Sequence, residues 1–194
     1  EEWNVKEAYV QDSKKNKIID LKKNNLHLVG YSRPVKINIT KKELLKKIYV
    51  SKSYKDAIPY VTSYYKKNWG FCTTEKHKNE IIKKYNKNEK FKVVIKSYFK
   101  KKNGKMPFGE LVLPGKSKQE ILISTYVCHP SMANNELSGP LLSMMLIEYF
   151  KKLKLEKNIK FLFIPETIGS IAYISKNKDK LNQIIGAFNL SCVG

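Results

Sequence analysis

The chain of 194 residues is long enough for one medium-sized domain, or for one domain with a smaller satellite. Its formal net charge of +21 is typical of nucleic-acid binders, but Arg33 is its only arginine and the lysines are spread along the chain, so we expect no specific nucleic-acid partner. No apolar segment reaches the length of a membrane span, so we expect no membrane partner. Three cysteines without CxxC spacing argue against a disulfide framework, so we expect a cytoplasmic protein.

The first half of the chain carries short strands, turns and many tyrosines. Residues 17–39 alternate apolar and polar side chains, as half-buried strands do. A short helix follows, for which Thr40 is the predicted N-cap and Glu43 completes a capping box. A second, amphipathic helix is predicted at residues 74–85.

Two of the three histidines lie in this half. His27 falls within the alternating segment, and we interpret it as a surface or core residue rather than a ligand. His77 lies among charged residues, and we expect it to be solvated.

The second half alternates strands and helices. Strands are predicted at residues 90–99, 119–130, 158–166 and 184–194, and a turn into a further strand at residues 103–115. Helices are predicted at residues 139–153 and 168–181. Pro140 is expected just inside the start of the first of these helices. The alternation predicts right-handed crossovers and a largely parallel sheet, whose active sites lie at the carboxyl ends of the strands.

His129 is the candidate that the sequence isolates most clearly. It follows an apolar strand and precedes Glu136 by seven residues. Two interpretations stay open: a strand-terminal imidazole bonded to a carbonyl, or a metal ligand, because imidazole and carboxylate both suit zinc. Asn134 and Asn135 are interpreted as turn and capping residues. Cys128 and Cys192 lie in apolar runs and are expected to be small buried hydrophobes.

Glu166 ends the next buried strand, directly after Pro165. It could be an acid that favours the dipole of the following helix, or a catalytic base. Because His129 and Glu166 end two strands joined by one helix, we expect both side chains to open into one cleft. Zinc beside a carboxylate base is a hydrolytic arrangement.

Several long motifs carry a resemblance to a known family. The segments STYVCHPSMANNELSGP and FIPETIGSIAYI, with EEWNVKEAYV, NLHLVGYSRPV and AIPYVTSYYKKNWGFC, resemble an uncharacterised bacterial and archaeal family of aminopeptidase-like proteins. Some members of that family are found with surface-polysaccharide genes.

The resemblance implies an α/β fold of the zinc exopeptidase-like, phosphorylase/hydrolase-like type. Its mixed, largely parallel sheet is flanked by helices, and a small β-rich domain is inserted in it. On this basis residues 1–90 are a small α+β inserted domain with a short lead-in from the core. Residues 91–194 are the exopeptidase-like core, incomplete at its C-terminus, so the chain is a fragment.

The resemblance also implies roles for individual residues. Zinc ligands are expected at His129 and Glu136, with Asn135 as the alternative ligand, and the catalytic base at Glu166. Three metal-binding positions of di-zinc aminopeptidases hold other residues here, namely Asn135, Thr167 and Ser191, and Ser131 occupies the aspartate position of their His-x-Asp pattern. We therefore expect one zinc ion, completed by a histidine further along than this chain, and this fragment could lack the ion.

The expected function is a zinc-dependent aminopeptidase-like hydrolase that acts on a peptide or amide bond through a metal-activated water. The alternative, which the four substituted positions motivate, is an inactive exopeptidase-fold binding or scaffold protein linked to surface polysaccharide biosynthesis. A homo-oligomer is a further expectation, because an incomplete sheet exposes an edge or an apolar face.

Overall fold

The computed structural model describes residues 2–129 and 132–193. The chain divides into two compact units, residues 1–104 and residues 105–194. Each unit contains its own β-sheet, helices and apolar core, so the protein is of the mixed α/β class, as predicted.

The first unit is built on a four-stranded antiparallel sheet with the strand order β2-β1-β6-β3. Its elements are β1 (Glu2–Gln11), β2 (Lys17–Asp20), β3 (Val35–Thr40), α1 (Lys41–Leu45), β4 (Ile48–Tyr49), β5 (Phe71–Cys72), α2 (Glu75–Lys84) and β6 (Lys90–Lys100). The sequence predicted β6 as the first strand of the following core. It pairs with β1 and β3 instead, so it belongs to the first unit.

The predicted capping box at the start of α1 is confirmed. The backbone N–H of Glu43 donates to Thr40 Oγ1, and the backbone N–H of Thr40 donates to Glu43 Oε2 at 2.8 Å. Both partners satisfy donors that the first turn of a helix leaves unpaired.

The two histidines of this unit have structural contacts that differ from the predictions. His27 lies in a 3-10 helix, Asn25–His27, rather than in a strand, and its Nδ1 is 2.8 Å from the carbonyl oxygen of Cys72. His77 is half-buried in α2 rather than solvated, with Nδ1 2.8 Å from Thr73 Oγ1. Burial lowers the pKa of His77, because desolvation disfavours the imidazolium.

The second unit has the strand order β10-β8-β9-β7. Its elements are β7 (Gly109–Leu113), β8 (Ser117–Tyr126), α3 (Ala133–Phe150), β9 (Lys157–Ile164), α4 (Ile168–Lys176), a 3-10 helix (Lys178–Gln183) and β10 (Ile184–Asn189). The three strands β10, β8 and β9 run parallel, and β7 pairs antiparallel with β9 at the edge.

Helices α3 and α4 bury side chains against the sheet in two separate clusters. Ile147 of α3 packs with Ile123 and Phe161, whereas Tyr173 of α4 packs with Leu162 and Ile164. Because Phe161 and Leu162 are adjacent in β9 and point to opposite faces, the two helices cover opposite faces of the sheet. Among the described residues, no helix is both long and apolar enough to cross a bilayer.

Helix α3 begins earlier than the sequence predicted. It starts at Ala133, so Pro140 lies in its second turn, and Asn134 and Asn135 are in its first turn instead of in a loop. Gly139 permits this path: a Cβ added there would lie 2.3 Å from both the Leu190 carbonyl oxygen and Thr125 Oγ1. The absence of a side chain therefore brings α3 against the ends of β8 and β10.

Candidate metal and catalytic site

The site lies where three parallel strands end. Strands β8 and β9 are in register at Tyr126 and Ile164, and the backbone N–H of Val127 donates to Ile164 C=O at 3.0 Å. On the other side of β8, the N–H of Leu190 donates to Ser124 C=O at 2.8 Å. The strand order reverses at β8, and such reversals place ligand sites at the carboxyl edge of α/β sheets.

Three side chains that can bind a metal meet just beyond β8, and we call them the Cys128–His129–Glu136 cluster. One potential ligand atom from each residue lies within 4.8 Å of the others. His129 Nδ1 is 2.8 Å from Glu136 Oε1, and Cys128 Sγ is 3.5 Å from each of these two atoms. The predicted pair of His129 and Glu136 is therefore brought together.

Glu136 is held by the loop that it faces. It lies in the first turn of α3, and its side chain is only 5% exposed. The backbone N–H of Cys128 donates to Glu136 Oε2 at 2.5 Å. Desolvation raises the pKa of Glu136, but hydrogen bonds from the Cys128 N–H and from His129 outweigh it, so the net pKa is lowered. The positive end of the α3 dipole also favours the carboxylate.

Both cysteines of this unit are exposed, so the prediction that they are buried hydrophobes was wrong. The physical reason is where the strands end: β8 stops at Tyr126 and β10 stops at Asn189, before the cysteine of each apolar run. Partial desolvation raises the pKa of the Cys128 thiol, and a hydrogen bond from the Glu166 backbone N–H opposes that rise without cancelling it.

A second polar group, the Tyr126 network, lies beside the cluster. The Tyr126 hydroxyl is 2.7 Å from Ser191 Oγ and accepts a hydrogen bond from Asn135 Nδ2 at 3.0 Å. Asn135 Nδ2 is also 3.7 Å from Cys192 Sγ. Asn135, the alternative ligand in the sequence analysis, thus contacts this network, whereas Glu136 contacts His129.

The Tyr126 hydroxyl is electrostatically linked to the ends of β9 and β10. The hydrogen bond with Ser191 lowers the pKa of Tyr126. Desolvation, the Cys192 thiol and the charge of Glu166 together outweigh this effect, so the net pKa is raised. The phenol is therefore neutral at physiological pH and can act as a hydrogen-bond donor or acceptor.

Glu166 lies two residues beyond β9, with its side chain exposed at the same edge of the sheet. A tight turn follows it: Thr167 has φ 56° and ψ −70°, and the Ile168 N–H donates to Glu166 C=O at 2.6 Å. This is the geometry of a γ-turn, which is rare for a β-branched residue. It leads the chain from β9 into α4 within three residues and leaves the Glu166 carboxylate in solvent.

Sequence reasoning missed two members of the site. Tyr126 was not singled out, although its place at the last position of a buried strand was a usable signal. Cys128 was assigned to the core because the apolar run continues past the strand end. Ser131, at the aspartate position of the His-x-Asp pattern, lies outside the described residues.

Comparison with known proteins places the chain in a family. The family model described as a domain of unknown function, DUF4910, matches residues 2–194. The chain belongs to the DUF4910 family. A Clostridium acetobutylicum protein, named as a candidate polysaccharide biosynthesis protein with an aminopeptidase-like domain, is 44% identical to it over 193 residues. That match covers 100% of the DUF4910 chain and 43% of the relative, so the chain spans less than half of the relative's length.

Solved structures show the same fold. A crystal structure of a candidate peptidase from Clostridium acetobutylicum, 44% identical, matches the DUF4910 chain with a TM-score of 0.88 over 100% of it and 44% of that chain. A zinc aminopeptidase from Bacillus subtilis matches with a TM-score of 0.62 at 12% identity, over 100% of this chain and 59% of that one. The predicted resemblance to aminopeptidase-like proteins is confirmed.

Proposed function

We propose that this DUF4910 chain carries the metal-binding and base residues of a zinc-dependent, aminopeptidase-like hydrolase that cleaves a peptide or amide bond. The observation that supports it is the contact between His129 and Glu136 at the tip of β8, beside Glu166 at the tip of the neighbouring strand β9. The fold shared with a zinc aminopeptidase and the name of the 44%-identical relative point the same way.

The donor atoms of this site suit zinc. Imidazole nitrogen and carboxylate oxygen are common zinc ligands, and in this proposal His129 and Glu136 hold the ion. When bound, zinc would polarise the scissile carbonyl and activate a water molecule for attack on it.

Glu166 is the base in this proposal. Its carboxylate is solvent-exposed at the end of β9 and influences the pKa of both Tyr126 and Cys128, so it lies within electrostatic reach of the site. It accepts the proton of the attacking water and passes it to the leaving amine. The first unit, residues 1–104, is proposed as the small domain inserted in this hydrolase core.

The test is the substitution Glu166→Gln in zinc-loaded protein, assayed with a panel of peptides and acylated amino sugars. The amide keeps the size of the side chain and removes the base, so we expect kcat to fall by about 10²- to 10⁴-fold with the fold unchanged. The matched control is Glu156→Gln, since the Glu156 side chain is 73% exposed in an ion pair with Lys116 away from the strand tips. Equal turnover by Glu166→Gln and wild type would remove Glu166 from the mechanism.

A binding function without catalysis is the second candidate, and a pocket in the first unit favours it. A cavity of about 380 Å³ is lined by aromatic and basic residues that include Tyr31, Arg33, Tyr65 and Phe99. The Arg33 guanidinium lies 4.4 Å from the centre of the Phe99 ring, and Tyr65 is 98% exposed. Exposed aromatic faces beside cations suit an anionic sugar. Metal-free protein that binds a glycan and hydrolyses nothing in the panel would favour this candidate.

A further inference from the structure

We propose that Cys128 is a third metal ligand, so that Cys128, His129 and Glu136 together form a mixed thiolate, imidazole and carboxylate site for a single Zn²⁺ ion. The proposal rests on the proposed function only for the place of the metal. The participation of the thiolate is argued from the geometry of the cluster alone.

The separations between the donor atoms match those of a tetrahedral zinc site. Zinc bonds of about 2.3 Å to sulfur and about 2.0–2.1 Å to nitrogen or oxygen, at tetrahedral angles, put sulfur about 3.5 Å from the other two donors. The observed distances from Cys128 Sγ are 3.5 Å to His129 Nδ1 and 3.5 Å to Glu136 Oε1.

The remaining pair of donors is closer than a shared metal requires. His129 Nδ1 and Glu136 Oε1 are 2.8 Å apart, which is a hydrogen-bond distance. Zinc would replace the shared proton and widen this separation to about 3.3 Å. Glu136 is held in the first turn of α3, so the change would fall on the side chain of His129, which follows β8.

The backbone directs the donors toward one point. Glu136 Oε2 is occupied by the Cys128 N–H at 2.5 Å, which leaves Oε1 turned toward the thiol and the imidazole. Glu136 itself is buried, whereas Cys128 is exposed. An ion can therefore approach from the Cys128 side while the carboxylate is already fixed by the fold.

The chemistry of this donor set differs from that of the His and carboxylate set on which the proposed function is based. A thiolate is a soft ligand that favours zinc, cadmium and cobalt over magnesium and manganese. One thiolate and one carboxylate also neutralise the charge of a divalent ion within this chain. The chain then supplies three protein ligands and leaves one open position, the pattern of catalytic zinc centres, so the further histidine expected from the resemblance is not needed to hold the ion.

Cobalt titration of the 194-residue chain under reducing conditions tests the proposal. Thiolate bound to Co²⁺ gives a near-ultraviolet charge-transfer band, and we expect this band to saturate at one equivalent in the wild type. Cys128→Ser should abolish the band and weaken cobalt binding by at least about 10-fold. Cys192→Ser is the matched control, because Cys192 is also exposed and lies just beyond the neighbouring strand β10, and it should leave the band unchanged.

The outcomes separate the ligand proposal from the proposed function. Cobalt binding without the thiolate band, or a band that survives in Cys128→Ser, overturns the role of Cys128 while leaving the hydrolase open. The thiolate band in a protein that hydrolyses no substrate supports the ligand role and counts against the hydrolase. Absence of any cobalt binding to folded wild-type chain overturns the ligand role outright. Circular dichroism of each variant establishes that it is folded.

Discussion

Gly139 allows α3 to pack closely against the strand ends. Its missing side chain lets the helix approach the Leu190 carbonyl and Thr125 Oγ1, each 2.3 Å from where a Cβ would lie. Neither neighbour is the far end of a flexible side chain, so the contact can be relieved only if the helix or strand moves.

We therefore expect Gly139→Ala to lower the free energy of unfolding by about 1–3 kcal/mol, the usual range for overpacking. For the net change to be a loss, overpacking must cost more than the gain of about 1 kcal/mol that alanine gives over glycine in a helix interior. Gly186→Ala is the control, because nothing lies within 4 Å of a Cβ at that position. Urea denaturation measures the free energy of unfolding of both variants. If Gly139→Ala were as stable as the wild type, α3 could move away from the strand ends at no cost, which would contradict the prediction.

Residue chemistry alone predicted part of the site. His129 and Glu166 were identifiable because an imidazole or an acid at the end of a buried strand demands a partner. Glu136 was noted as the acid seven residues after His129, and its role as a ligand came from the family resemblance. Cys128 was not identifiable, because its thiol is apolar enough to belong to a core and the sequence alone does not show where β8 ends. The distinction between Asn135 and Glu136 depends on which side of α3 each faces, and that was fixed only once the helix start was known.

Strands β8 and β9 contain a buried ion pair that no sequence pattern indicated. Lys160 Nζ is 2.6 Å from Glu120 Oε2, with the two side chains only 6% and 7% exposed. Such a pair adds little net stability, but removal of one partner leaves an uncompensated charge in the sheet.

Lys160→Met should therefore lower the free energy of unfolding by about 3–5 kcal/mol, and the double variant with Glu120→Gln should recover much of that loss. The comparison pair is Lys116 and Glu156, also 2.6 Å apart but 69% and 73% exposed, where Lys116→Met should cost less than about 1 kcal/mol. Denaturant melts of the full double-mutant cycle give both coupling energies. Similar costs at the two pairs would contradict the importance of burial.

At the level of elements, the apolar runs correctly located β8, β9 and β10. Strand β9 is largely buried, as a continuous apolar run predicts, whereas the expected burial of β10 was wrong: it lies at the edge of the sheet, with Ile185 and Phe188 50% and 62% exposed.

The sequence predicted that α3 starts at Gly139, six residues after its observed start at Ala133. Asn134, Asn135, Gly139 and Pro140 are all typical of turns and helix starts, so local propensity favoured a late start. Tertiary contacts of Glu136 with the loop overrode that preference.

The second unit as a whole presents apolar side chains to solvent on both helices. On α3 the exposed residues follow a helical stripe: Leu137, Leu141, Met144, Met145 and Tyr149. On α4, Ile168, Ile171 and Ile174 are exposed in the same way. A helix that is apolar on all sides is normally covered on all sides.

We expect the 194-residue chain to self-associate through these faces, despite its charge of +21. Sedimentation velocity should show association that strengthens with added sulfate, which favours apolar burial and screens charge. The double substitution Leu141→Gln and Met145→Gln should reduce it by about 10-fold in association constant, whereas Tyr65→Gln, an exposed aromatic of the first unit, should not. A monomer at all concentrations and salts would contradict this expectation.

The division of the whole chain was predicted only approximately. The sequence placed the boundary near residue 90, whereas the compact units meet at residues 104 and 105. The error concerns β6, whose apolar alternation fits either sheet equally well. Strand pairing is a long-range property, and one strand's own residues do not state which sheet it completes.

The pairing of β1 with β6 links the extremes of the first unit, since Glu2 is opposite Lys100 and Val10 is opposite Val93. The middle of that sheet therefore cannot close until β6 (Lys90–Lys100) has left the ribosome. Until then β1 has only β2 beside it, and β3 has no neighbour in its sheet. Nascent chains that stall earlier expose the open edge of β1, a natural target for chaperones and proteases.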